Sequence, residues 1–269
     1  VLSHLYFLNF PDKYWAKLGF LRHILIEGQQ KNFENKLVIY FNYCKSCKIY
    51  FQNFLHKEER LFRHYNFFYR RAHGDTYGRL DSLTHNEKWI EYFNCIKKDL
   101  KVGTNKRVLD IGCGEGLLCN KLNSEGFLAY GTEPSKQMSN YAKLKNIPRI
   151  LNCEYSSGLY DKGFFSNIFC FHVFEHLLDI KNLINSVDFH LDNGGHLFLS
   201  VPSIENNSKI EKLKKYNCDN TIFGHDHIYL YSKEFIEKIF KKSGYDLIKS
   251  FEDQLKSYPN DLTLVFKKN

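Results

Sequence analysis

From residue 106 onward, short apolar runs alternate with longer amphipathic segments. The run RVLDI (107–111) predicts a buried strand that ends in a glycine-rich turn. A helix is expected over 115–125, a second strand over 128–133, a helix from Ser135 and a short third strand over 149–151. NIFCFHV (167–173) reads as a fourth strand, followed by a helix over 175–190 and a fifth strand over 196–202. A helix from Ser232 to near Gly244 and two late strands, 246–251 and 262–267, close the pattern. Strands alternating with helices predict an α/β fold of Rossmann-like type, with a seven-stranded, mostly parallel sheet and helices on both faces.

Upstream, Thr84 and Glu87 form a T-x-x-E capping box. Trp89, Ile90, Phe93, Ile96 and Leu100 continue it as a helical stripe that stops before Gly103. The domain is therefore expected to span 85–269. Residues 1–84 are aromatic and basic and read as a helical extension lying over the pocket of that domain. Within them, KLVIYFNY (36–43) has strand character. ERLFRHYNFFYRRA (59–72) interleaves basic and aromatic residues, the pattern of an amphipathic helix with a wet basic face or of a phosphate-contacting surface.

Composition adds little to fold and something to context. Among 269 residues, 43% are hydrophobic and 25% charged, so a packed globular chain is expected rather than disorder. The net charge of +8 suits a Lys-rich solvated surface and permits an anionic partner. No apolar run reaches the length of a membrane span. Eight cysteines scattered through apolar stretches show no disulfide framework, which favours a reducing cytoplasm.

VLDIGCGEG (108–116) carries most of the chemistry. Gly112, Gly114 and Gly116 follow the first strand directly, where glycine permits a tight turn and close approach of a ligand to the main chain. The next helix start offers free N–H groups. The spacing is G-x-G-x-G, not the dinucleotide fingerprint G-x-G-x-x-G, which argues against an oxidoreductase. Asp110 lies at the end of strand one and Glu133 at the end of strand two, where an acid accepts hydrogen bonds from a ribose diol.

These features resemble the class I S-adenosylmethionine-dependent methyltransferases over about residues 85–269. The resemblance rests on VLDIGCGEG, YGTEPS (130–135), FHVFEHL (171–177), LDNGGHLFLSVPS (191–203) and HDHIYLYSKEFIEKIFKKSGYDLI (225–248), in the family's order. It implies S-adenosyl-L-methionine as cofactor, with Glu133 on the ribose hydroxyls and Asp110 toward the methionine ammonium. It also implies cofactor contacts at Gly112, Cys113, Gly114, Gly116, Pro134 and Phe171. The chain departs from the family at Ser166-Asn167, where Phe-Asp is common, and at Asn193, where Pro often precedes the paired Gly. Glu154 is the only acid near the place where the family often holds the adenine amine.

His172, Glu175 and His176 follow strand four at spacing i, i+3, i+4, on one side of a helix start, at the expected mouth of the cofactor pocket. Three readings stand together. Glu175 and His176 brace the helix; or His172 accepts a proton from the acceptor; or the cluster holds a divalent metal, as in the E-x-x-E-H motif of ubiquinone-pathway and small-RNA methyltransferases that it resembles, with His172 in place of the first Glu. In the metal reading, His225 or His227 would add a ligand. Imidazole and carboxylate together suit Zn, Mn or Fe better than Mg.

YCKSCKIYF places Cys44 and Cys47 at zinc-knuckle spacing. Zinc takes four ligands, no second CxxC exists, and only His4 and His23 lie upstream, so two free thiols are expected more often than a complete metal site.

The combined expectation is a cytoplasmic S-adenosylmethionine-dependent methyltransferase. Its acceptor would be a small molecule, a sugar or a glycan precursor, and nucleic acid is not the expected partner. The competing expectation is a metal-dependent RNA 2′-O-methyltransferase, supported by the net charge and the histidines.

Overall fold

The computed structural model describes residues 24–28, 37–52, 83–205, 227–252 and 261–269. Three strands come first: β1 (Ile24–Gly28), β2 (Leu37–Cys44) and β3 (Ile49–Gln52). Helix α1 (Leu83–Ile96) leads into the alternating domain. That domain comprises β4 (Arg107–Ile111), α2 (Leu117–Ser124), β5 (Leu128–Thr132), α3 (Lys136–Leu144), β6 (Ile150–Leu151), β7 (Phe165–Phe171), α4 (Ile180–His190) and β8 (Leu191–Pro202). It closes with β9 (Tyr229–Leu230), α5 (Lys233–Lys242), β10 (Tyr245–Glu252) and β11 (Asp261–Lys268).

Seven strands form the main sheet in the order β10-β11-β8-β7-β4-β5-β6. The pairs β4/β5, β4/β7, β5/β6 and β7/β8 are parallel, and β11 and β10 add antiparallel edges. The expected sheet is thus present. β7 is buried along its whole length, so its alternate side chains feed two cores. Ile168 and Cys170 join the cluster containing Ile184, Val187, Phe235 and Phe240 of α4 and α5. Phe169 and Phe171 join Tyr92, Phe93, Leu118 and Leu122 of α1 and α2.

Local chemistry sets the helix starts. Ser232 accepts from the Phe235 N–H at 3.2 Å, and Asp179 accepts from the Asn182 N–H at 3.0 Å. The Asp179 cap also corrects the expected helix over 175–190. Phe174–His176 form a 3-10 turn, Leu177 is extended, and α4 begins at Ile180. His172, Glu175 and His176 therefore do not share one α-helical face. α1 begins at Leu83, one residue before the expected cap at Thr84, and Ile90 of its expected stripe is exposed while Tyr92 is buried.

Ser166-Asn167 does structural work where the family often has Phe-Asp. Asn167 accepts from the Lys101 N–H at 2.8 Å and donates to the Lys101 carbonyl at 3.0 Å. Ser166 donates to the Arg107 carbonyl at 3.1 Å. The pair ties β7 to β4 and to the segment after α1 with every polar atom of the amide used.

The extension over residues 1–84, expected to be helical, forms strands and one tight turn, with no helix, where its residues are described before α1. β1-β2-β3 pair antiparallel, and β3 pairs with β9 through Tyr50↔Leu230 and Phe51↔Tyr229. The run LVIYFNYC is rich in β-branched and aromatic residues, which fit a pleated surface better than a helix. The strand expected over 36–43 is present as β2, and the basic-aromatic run 59–72 lies outside the described residues.

Gly131 of β5 is packed without room for a side chain. A Cβ there would lie 2.6 Å from both Cys113 Sγ and Ile150 Cδ1. Gly131→Ala is expected to cost about 1–3 kcal/mol through overpacking. Chemical denaturation checks this, and an unchanged midpoint would show that Cys113 and Ile150 move aside freely.

Candidate active site

The carboxyl ends of β4, β5 and β7 meet at one edge of the parallel sheet. After Ile111 the chain turns through Gly112, Gly114 and Gly116, all with positive φ (68°, 56° and 79°). At Gly112 the constraint is double, since a Cβ would also meet Val173 Cγ2 at 2.4 Å. Over Gly114 the nearest atom to a Cβ would be Met138 Sδ at 3.8 Å, so the backbone there stays open to a ligand.

Glu133, buried at the end of β5, organises this loop. One carboxylate oxygen accepts from the Gly114 N–H at 2.9 Å, the other from the Ser135 N–H at 2.7 Å. Asn152 donates to the Glu133 and Pro134 carbonyls at 2.9 and 3.0 Å, fixing the segment from below. A carboxylate has about four lone-pair sites, so Glu133 retains acceptor capacity toward a diol. Asp110 is buried beside it, and no cation pairs with Asp110 among the described residues. Burial, and then the Glu133 charge, pushes the Asp110 carboxyl well above the ordinary carboxylate range. A buried, mutually repelling carboxylate pair beside an open glycine loop suits a ligand with a ribose diol and a positive charge. S-adenosylmethionine, with its ribose diol and its sulfonium and ammonium groups, fits those acceptors.

The sequence-expected residues Asp110, Gly112, Cys113, Gly114, Gly116, Glu133, Pro134 and Phe171 fall together on this edge. Cys113 is buried and its N–H bonds the Thr132 carbonyl at 3.0 Å. Phe171 is buried against Tyr92, ring centroids 4.7 Å apart. Glu154 is exposed on the loop after β6.

His172 follows β7 with φ +56°, a left-handed conformation that a non-glycine residue adopts at a cost of about 1–3 kcal/mol. Its N–H is held by the Ser200 carbonyl at 3.0 Å. The half-buried ring lies between two acids: Nε2 is 3.0 Å from Asp261 Oδ2 and Nδ1 is 3.5 Å from Glu175 Oε1. Burial alone would push this imidazole down, but Asp261 and then Glu175 outweigh it and hold its pKa well above the usual histidine range. Asp261 was not legible as a site residue, because it opens a late strand far along the chain.

Glu175 is fully buried and neither of its carboxylate oxygens has a hydrogen-bond partner of good geometry. Burial opposes its charge, but His172, His176 and His227 outweigh that and hold its pKa below the usual range. His176 Nε2 is 3.8 Å from Glu175 Oε1, and the His176 and His227 rings lie 4.8 Å apart. Ligand atoms of Glu175, His176 and His227 all fall within 4.8 Å of one another. This trio could hold a divalent cation with an open position, whereas His172, expected in the same set, faces Asp261 instead. His225 lies outside the described residues.

Comparison with known proteins agrees with the geometry. Residues 87–250 match the family model described as a methyltransferase domain. A ubiquinone biosynthesis O-methyltransferase from Bartonella quintana is 32% identical over 120 residues, 43% of this chain and 49% of that enzyme. An uncharacterized methyltransferase from Alkaliphilus oremlandii is 29% identical over 158 residues, 59% of this chain and 64% of that protein. The matched region thus spans about half to under two thirds of these relatives' length. Among solved structures, magnesium protoporphyrin IX methyltransferase from Synechocystis PCC 6803 with bound SAH shares the fold at TM-score 0.56 and 19% identity, covering 79% of this chain and 100% of that one. A possible histamine N-methyltransferase from Thermotoga maritima does so at TM-score 0.51 and 17% identity, covering 67% and 89%.

Proposed function

The chain belongs to the class I S-adenosylmethionine-dependent methyltransferase family, and from that premise we propose that it methylates a small-molecule acceptor such as a sugar, a glycan precursor or a quinol-like metabolite. The observation that carries the cofactor half is the Asp110–Glu133 pair around the open glycine loop. When bound, S-adenosylmethionine supplies an electrophilic methyl group on a sulfonium that is already a good leaving group. The chain's own task is then to orient the two reactants and to remove a proton from the nucleophile.

In this reading Glu133 holds the ribose hydroxyls, Asp110 faces the methionine ammonium, and the backbone N–H groups at the start of α2 meet the carboxylate. His172, at the end of β7, takes the acceptor's proton, with Asp261 and Glu175 fixing its ring. The acceptor side is closed in part by the β1–β3 extension. The Gln52 N–H bonds the Ile228 carbonyl at 2.9 Å, and the Ile228 N–H bonds the Glu175 carbonyl at 2.8 Å, a direct link from extension to site. That link supports reading residues 85–269 as the catalytic domain and 1–84 as a substrate-shaping extension. The small-molecule acceptor draws support from the named ubiquinone-pathway relatives.

The experiment is calorimetric titration with S-adenosylhomocysteine. Saturable binding at one site per chain is expected, and folded protein that does not bind overturns the proposal.

A second reading is favoured by one cluster. Glu175, His176 and His227 would hold Zn, Mn or Fe and lower the pKa of a coordinated acceptor hydroxyl, the arrangement expected of a metal-dependent RNA 2′-O-methyltransferase. Elemental analysis of the purified protein decides it: a stoichiometric metal lost in Glu175→Ala supports this reading, and metal-free protein that binds S-adenosylhomocysteine removes it. No helix among the described residues is long and apolar enough to cross a membrane.

A further inference from the structure

The CxxC motif is not used by the methyl-transfer site, and its placement in the fold is informative. Cys44 ends β2 and Cys47 lies three residues on, in the four-residue turn that returns the chain to β3 at Ile49. The turn is fixed by the Lys48 N–H bonding the Cys44 carbonyl at 2.7 Å and by Lys48 in a left-handed conformation, φ 57°. Both thiols are half-buried, with the exposed Lys45, Ser46 and Lys48 around them. Ser46 Oγ lies 3.3 Å from Cys44 Sγ. Cys44 and Cys47 stand three residues apart on this one turn, close enough for the state of each thiol to influence the other. Among the described residues, no third His, Cys, Asp or Glu joins them in a group that could hold a metal.

We infer that Cys44 and Cys47 form a reversible dithiol–disulfide site that exchanges with low-molecular-weight disulfides of the glutathione type. A C-x-x-C pair held in a fixed turn is the arrangement that favours a thiolate on one sulfur and a proton on the other. The Cys47 thiol, more than Ser46, brings the Cys44 pKa down to about 5 against the opposing effect of burial, and the Cys47 thiol is pushed up correspondingly.

The chemistry balances with the disulfide reagent as oxidant. The Cys44 thiolate attacks one sulfur of glutathione disulfide, forming a mixed disulfide and releasing one glutathione thiolate. Cys47 then loses its proton to solvent and attacks the Cys44 sulfur, forming the Cys44–Cys47 bond and releasing the second glutathione. Two protein thiols are oxidised and one glutathione disulfide is reduced to two thiols. In a reducing compartment such a bond is transient and responsive rather than structural.

The turn is also well placed to be felt by the site. β3, which follows it, bonds to Ile228, and Ile228 bonds to Glu175. Cys44 and Cys47 themselves pack against the core cluster that contains Phe174 and Tyr231.

The test incubates the full chain in glutathione buffers of increasing oxidised fraction, quenches with acid and a maleimide, and maps tryptic peptides. Trypsin cuts after Lys45, so Cys44 and Cys47 fall on separate peptides joined only by their own disulfide. The joined peptide is expected to grow with the oxidised fraction and to vanish with dithiothreitol. Cys47→Ala is expected to give instead a persistent glutathione adduct on Cys44, and S-adenosylhomocysteine binding by that variant shows that it is folded. Two results would overturn the inference. One is glutathione adducts accumulating on Cys44 of the unsubstituted chain with no joined peptide. The other is one tightly bound zinc per chain that shields both thiols from the maleimide.

Discussion

Glu133→Ala is expected to bind S-adenosylhomocysteine about 100-fold more weakly than the unsubstituted protein, or worse. Two ribose hydroxyls donating to one carboxylate are charge-assisted hydrogen bonds of about 1.5–3 kcal/mol each. Each 1.4 kcal/mol is a factor of about ten in affinity. The same truncation releases the Gly114 and Ser135 N–H groups from Glu133, so the loop loses its shape together with its ligand. A fall in stability of about 1–3 kcal/mol accompanies the lost affinity, the penalty of buried donors left without an acceptor. Asp110→Asn separates binding from folding. The fold pushes the Asp110 pKa up, through burial first and the Glu133 charge second, so the charged form is a burden on the ligand-free protein. Asn keeps the volume and removes the charge. The ligand-free variant is expected to unfold at an equal or higher temperature while its affinity for S-adenosylmethionine falls. Unchanged affinity in both variants, measured by calorimetry, would refute the roles given to the two acids.

The part of this site that was legible in the sequence was the part that is local. The glycine turn and the acids at the ends of β4 and β5 are set by a few consecutive residues each, and strand–turn–helix geometry leaves them one arrangement. The helix starts at Ser135 and Ser232 were legible for the same reason, a side chain three residues from the N–H it caps. What the sequence concealed is long-range. Asp261 reaches His172 because β11 inserts next to β8, a pairing that no local pattern encodes. His227 meets His176 because β9 joins the β1–β3 sheet rather than the main one. The i, i+3, i+4 spacing of His172, Glu175 and His176 suggested one helical face. The Asp179 cap delays the helix, and the left-handed turn at His172 swings its ring between Glu175 and Asp261.

That swing makes the pH dependence of the reaction diagnostic. If His172 takes the acceptor's proton, only its neutral form is competent, and the two acids facing it, Asp261 on β11 and Glu175 on the 3-10 turn, keep it protonated beyond the usual histidine range. The rate constant kcat/KM is then expected to rise with pH along a limb whose midpoint lies above the ordinary value of about 6.5. Asp261→Asn removes the larger of the two opposing charges, so the limb moves toward acid. His172→Gln abolishes the limb and lowers the rate by about 10²–10⁴-fold. Stability supplies an independent readout with the same sign. A histidine whose folded pKa is raised stabilises the protein fully below its unfolded value of about 6.5 and loses that contribution as pH climbs through the folded value. The unfolding temperature should therefore decline over the range in which activity increases, and Asp261→Asn should shift both curves together. The lowered pKa of Glu175 acts in a separate acidic window, where its stabilisation is lost as pH falls, so the two groups do not mask each other. An activity limb that stays in place in Asp261→Asn, with the stability curve moved, would leave His172 as a structural ion pair and assign proton removal to another group.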